Sequence, residues 1–175
     1  MKIVTTPMCE KILKLAGIKN YIVSKNPDET DADIAVVLYE TNTKKKAIKL
    51  KLNTFDQIEK SISKVRDLLG GKNKKIKINF RWADENYRKV QRRKNRKIKV
   101  KVYSNFLKDI VKDMGYKIVN KNPDFIIYPD YMEDKIKEEN VSKVKVPSHE
   151  NVPKDPIERA KVRYNLLEKK LCMKH

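Results

Sequence analysis

The chain has 175 residues, 39% of them apolar and 37% charged, and a formal net charge of +19. That length can bury one core or two small fused ones, and no apolar run approaches the roughly 20 residues needed to span a bilayer. Two cysteines are too few for a disulfide framework, and the N-terminus enters a strand pattern without a signal-peptide core, so a cytoplasmic protein with no membrane association is expected.

Residues 2–6 read as a strand entering the core. Pro7 then opens a helix with apolar positions Ile12, Leu13 and Ala16, and Gly17 closes it. Residues 21–23 form a short second strand, ended by the turn signal Asn26-Pro27-Asp28. Ile34 to Leu38 is a continuous apolar run, as in a strand buried on both faces. Residues 41–46 are polar and read as a turn. Residues 47–52 alternate Ile48, Leu50 and Leu52 with lysines, which predicts a half-exposed strand hairpinned to the one before. Thr54 caps the next helix, with Gln57 in capping-box position. Its stripe is Phe55, Ile58, Ile62, Val65 and Leu69, and Gly70-Gly71 end it.

Residues 75–80 alternate Ile76, Ile78 and Phe80 and read as a strand. Residues 81–96 are helix-like but weakly amphipathic, with Trp82, Tyr87 and Val90 as their only sizeable apolar side chains. Residues 97–102 are the next strand. A helix over 106–114 follows, capped by Asn105, with Leu107, Ile110, Val111 and Met114 inward and Gly115 at its end. The strand Phe125 to Tyr128, a polar insertion over 129–140 and an alternating strand over 142–146 come next. Asp155-Pro156-Ile157-Glu158 starts the clearest helix, striped by Ile157, Ala160, Tyr164, Leu167 and Leu171.

One heptapeptide occurs twice. Ile22 to Asp28 returns as Ile118 to Asp124 with six of seven positions identical, 96 residues on. Gly17 and Gly115 precede the two copies, and Ile48 and Leu50 match Val144 and Val146 at the same spacing. The expected fold is therefore α/β: an internal duplication of a β-α-β-β-α-like unit, pseudo-two-fold, with a mixed sheet and helices packed on it. The first repeat spans residues 1–71, a basic connector 72–97, and the second repeat 98–175.

The charge is unevenly placed. Residues 72–101 hold 14 basic and two acidic side chains, and five of the eight arginines fall within 81–96. Arginine suits bidentate phosphate contact, and a basic stretch flanked by aromatics is the footprint of nucleic-acid binding. Arg81, Trp82, Tyr87, Arg88, Lys89, Arg92, Arg93 and Arg96 are the candidate residues. None of Arg88, Arg92, Arg93 and Arg96 lies on an apolar stripe, so all are expected to face solvent. This predicts a non-enzymatic binding or accessory protein that docks on a polyanion, RNA first. A solvated charged helix is the plainer explanation, and an acidic protein partner is a further one.

A reading of another class uses the strand-to-helix turns, where helix N-termini can receive an anion. Thr5, Thr6 and Cys9 lie at one such turn and Ser104 and Asn105 at the other. They would serve a small enzyme or a cofactor-handling protein. No glycine-rich phosphate loop accompanies either turn, so ordinary caps with a buried thiol are the plainer explanation of these residues. Cys9, His149, Cys172 and His175 are all the cysteines and histidines, and they are too scattered to mark a zinc site. No catalytic residue, metal or cofactor is assigned, whether the protein is an enzyme stays open, and the oligomeric state is not readable.

The segment Met1 to Glu40, with the Asp155-Pro156-Ile157-Glu158-Arg159 stretch, resembles small conserved proteins of unknown function from methanogenic archaea. The resemblance implies an archaeal cytoplasmic protein, accessory to methanogenesis enzymes or their cofactor maturation. It carries over no functional residue.

Overall fold

The computed structural model describes residues 1–72 and 74–172. The chain divides into two compact units, the first of residues 1–78 and 153–159, the second of 79–152 and 160–175. Each builds its own sheet. The first contains strands β1 (Ile3–Thr5), β2 (Ile22–Val23), β3 (Ile34–Leu38) and β4 (Lys46–Leu50), with helices α1 (Glu10–Leu15) and α2 (Phe55–Leu69). The second contains helix α3 (Glu85–Asn95), strand β5 (Lys99–Val102), helix α4 (Asn105–Asp113) and strands β6 (Lys117–Ile118), β7 (Phe125–Pro129) and β8 (Ser142–Val146). Helix α5 (Pro156–Cys172) gives its first residues to the first unit and those from Ala160 onward to the second.

The two units repeat one topology. The strand orders are β2-β1-β3-β4 and β6-β5-β7-β8, and every neighbouring pair is parallel. Continuous apolar runs form the middle strands because both faces are covered: Ile34 to Val37 and Phe125 to Tyr128 are all buried. Thr54 caps α2 through the full capping box with Gln57, and its inward stripe buries Phe55, Ile58, Ile62 and Val65. α1 packs against α2. Gly71 permits that approach: a Cβ there would stand 2.0 Å from the Ala16 carbonyl oxygen.

Three expectations are corrected. The mixed sheet with a hairpin at residues 41–46 is in fact parallel, with Val36 beside Ile48. Parallel neighbours usually need a crossover of a dozen residues or more. Here residues 39–45 run straight back instead, held by the Asp28 carboxylate. It accepts from the Thr43 hydroxyl and from the Lys44 N–H at 3.1 Å. Lys45 Nζ adds bonds to the Thr30 and Ala32 carbonyls at 2.8 and 2.9 Å. The recurrent turn aspartate thus fastens a distant loop, not its own turn.

The alternating stretch 75–80 forms no strand among the described residues. Alternation gives a face but not a partner edge, and no described strand pairs with it. The segment 72–97 is likewise not a free connector, since residues from Asn79 onward belong to the second unit. No helix among the described residues is long and apolar enough to cross a membrane.

Candidate nucleic-acid interface

Helix α3 begins at Asp84, whose carboxylate accepts the Tyr87 N–H at 2.8 Å. Apolar periodicity is absent because its inward stripe is polar: Arg88 and Asn95 are buried, with Arg92 between them in the 4–3 spacing of a helix face. Arg92 reaches Asp113 twice, Nε to the carbonyl and Nη2 to Oδ1, both at 2.6 Å. Asn95 donates to the Met114 carbonyl at 2.7 Å. Gly115 makes this docking possible, because with φ +85° a Cβ there would lie 2.7 Å from Arg92 Cα. Arg88 is buried and partnered.

The aromatic residues are also part of the fold. Trp82 is fully buried, and its ring meets Tyr87 edge-on at 5.4 Å between centroids. Both turn toward Glu168 on α5. Its Oε2 accepts from Trp82 Nε1 at 2.5 Å and from Arg81 Nε and Nη2 at 3.1 and 2.9 Å. Its Oε1 accepts from the Tyr87 hydroxyl at 2.7 Å. Burial pushes the Glu168 carboxyl up, but the Tyr87, Trp82 and Arg81 donors outweigh it, so the group sits below its ordinary range. Trp82 therefore offers no face for stacking on a base, and Arg81 is committed to an ion pair.

What remains for a ligand is narrower than residues 81–96, and part of it lies beyond them. Lys89 pairs with Glu85 one turn earlier at 3.2 Å, a contact worth little at an exposed site. Arg93 and Arg96 are exposed and, like Lys94 and Lys97, form no ion pair among the described residues. Lys94 and Lys97 were missed as candidates because lysine is the background residue of this chain. The register of β5 and β6 adds two more cations, placing exposed Lys99 beside exposed Lys117.

Three hollows stand out among the described residues. One of about 670 Å³ is lined by Glu59, Arg66, Lys74 and Lys75, and one of about 460 Å³ by Asp130, Ser148, His149 and Glu150. The third, about 470 Å³, lies at the end of α3 between Gln91, Arg93, Lys94, Lys97, Ile98 and Cys172. It alone of the three has basic side chains and no carboxylate on its wall.

The two strand-end turns differ in exposure: the first is buried and the second is not. Thr5 is buried and donates to the Val36 carbonyl at 2.9 Å, and Thr6 is buried beside it. Cys9 is fully buried, and that burial pushes its thiol up to about 11. In the other unit Ser104 takes φ 138° and its Oγ accepts the Leu107 N–H at 3.4 Å, while Asn105 is exposed. None of the three hollows reaches either turn. No group of three or more His, Cys, Asp or Glu among the described residues could hold a metal, and His175 lies outside those residues. No protein-family model and no curated protein matches the sequence.

Proposed function

We propose that this is a non-enzymatic binding protein that docks on RNA, in the cytoplasm, through the cationic end of α3. One observation carries the reading. The fold uses Arg81, Arg88 and Arg92 internally, yet leaves Arg93, Lys94, Arg96 and Lys97 exposed and without an ion pair among the described residues. Four like charges in five residues repel one another, and a phosphate backbone relieves that repulsion while releasing condensed counterions. Lys99 and Lys117, set side by side in the register of β5 and β6, add two exposed cations to the same unit.

The experiment is RNA affinity at two salt concentrations, for the parent and for a variant with Arg93, Lys94, Arg96 and Lys97 all changed to Gln. The parent weakens steeply with salt, and the variant's log–log slope is shallower by about 3, at roughly 0.7–0.9 per lost contact. Equal slopes would remove the reading, as would a parent that binds no RNA at low salt. Capture of an acidic protein in place of RNA would also count against it.

A further inference from the structure

The hollow beside Cys172 is lined in part by Arg93, Lys94 and Lys97, the cations of the proposed phosphate contact. We infer that it receives one unpaired RNA base while the flanking phosphates lie on Arg93, Lys94 and Lys97. This inference rests on the RNA reading above.

The dimensions and the wall fit. At about 470 Å³ the hollow falls within the roughly 300–1,000 Å³ of small-ligand sites. Its wall is mainly apolar, built around buried Ile98 and exposed Cys172. Lysine and arginine contribute aliphatic stems to such a wall while their charged heads stay in water. An uncharged, flat group bearing a phosphate on either side matches this combination. A bare polyanion would use the rim and leave the hollow empty.

Two side-chain amides line the hollow, Gln91 and Asn95, and Asn95 already donates to the Met114 carbonyl, so Gln91 is the one placed to read a base edge. Gln91 lies on the wall, and its side-chain amide makes no hydrogen bond among the described residues. An amide offers both donors and an acceptor. Cys172 is not suited to chemistry here. Burial raises its thiol above the ordinary value and the Glu168 charge adds to this, while Lys94 opposes them. The thiol stays protonated near neutral pH and acts as a wall atom. Duplex bases are stacked and paired and cannot enter, whereas an unpaired strand can turn a base outward.

The test uses the full chain and three probes of equal length, their affinities compared per phosphate because the duplex carries twice the charge: a single-stranded RNA octamer, an octamer with abasic sugars, and the RNA octamer annealed to its complement. The single strand binds about tenfold tighter than the abasic strand, the order of one base contact, and the duplex shows no such gain. Cys172→Phe fills the hollow from an exposed position, and Gln91→Ala acts from α3. Each reduces the difference between RNA and abasic strand while leaving the abasic affinity unchanged. Equal binding of RNA and abasic strand overturns the base site and leaves the phosphate reading standing, as does tighter binding of the duplex. A free mononucleotide that binds as tightly as the octamer overturns the strand assignment. Absence of binding by every probe at low salt removes both readings together.

Discussion

Asp33 and Asp124 make the same pair of hydrogen bonds in the two units. The Lys2 N–H donates to Asp33 Oδ2 at 2.6 Å, and the Asp33 N–H returns to the Lys2 carbonyl at 2.9 Å. The Lys99 N–H donates to Asp124 Oδ2 at 2.8 Å, and the Asp124 N–H returns to the Lys99 carbonyl at 2.8 Å. Each carboxylate thus fixes the start of a central strand. The repeated heptapeptide aligns Asp124 with Asp28 instead, and Asp28 holds the return loop through Thr43 and Lys44.

Asp33→Ala and Asp124→Ala are therefore expected to cost similar amounts, about 1–2 kcal/mol each, as for a charge-assisted hydrogen bond at an exposed site. Asp28→Ala has a different signature: faster proteolysis or hydrogen exchange at residues 39–45, with little change in the global melt. Denaturant titrations of the three variants check this. A large global loss for Asp28→Ala and none for the other two would reverse the assignment.

Glu168 gathers Arg81, Trp82 and Tyr87. Glu168→Leu leaves the fully buried Trp82 N–H without its acceptor, at a cost of roughly 1–3 kcal/mol. Glu168→Gln keeps an acceptor and costs less. The folded carboxyl lies below its ordinary value. Its contribution is therefore present above the unfolded value near 4.5 and is lost as pH falls through the lower folded value. Melts at pH 7 and in acid, for parent and Glu168→Gln, should converge on acidification. A gap that is constant with pH would contradict the ion-pair role.

Glu138 ties the insertion between β7 and β8 to the sheet. Its Oε1 accepts from Lys101 Nζ at 2.7 Å and from the Tyr103 hydroxyl. The Lys101 ammonium, then the Tyr103 hydroxyl, lower its carboxyl to about 2. With a depressed folded value, this fastening is complete above about 4.5 and is lost as pH falls toward about 2. Hydrogen exchange within residues 130–141 should accelerate over that window before the rest of the second unit opens. Uniform opening of the whole unit would show that Glu138 is not the tether.

Gly115 sits against Arg92 with φ +85°. Gly115→Ala adds about 1–2 kcal/mol for the left-handed backbone alone, and the contact with the α3 backbone adds to it. The variant should therefore also lose the α3 docking, seen as raised exchange across Glu85–Asn95. Ordinary stability in Gly115→Ala would mean that the close approach is not required.

Much of the fold was legible because it is written in apolar spacing. The stripe of α2, the continuous runs of β3 and β7, and the buried Tyr164, Leu167 and Leu171 of α5 all follow from it. The parallel return between β3 and β4 was not, because it depends on one carboxylate reaching Thr43 and Lys44 from Asp28. The inward face of α3 was hidden for a related reason: Arg92 and Asn95 pack through hydrogen bonds and the buried Arg88 is charged, so the helix reads as a solvated one. Half of the candidate cations were thereby misplaced, while Lys94 and Lys97, unremarkable among many lysines, stayed on the surface. Arginine enrichment marks α3 and does not separate its buried face from its exposed one.

The most direct test of RNA docking at the end of α3 is the alkylation rate of Cys172, measured with and without a single-stranded RNA octamer. Cys172 is exposed and shares a wall with Arg93, Lys94 and Lys97, while Cys9 is buried and reacts only on unfolding. With RNA at about ten times its Kd, the free fraction and the Cys172 rate should each fall about tenfold. Raising the salt should restore the rate. An unchanged Cys172 rate in a sample where RNA is demonstrably bound would place the RNA elsewhere and contradict the account.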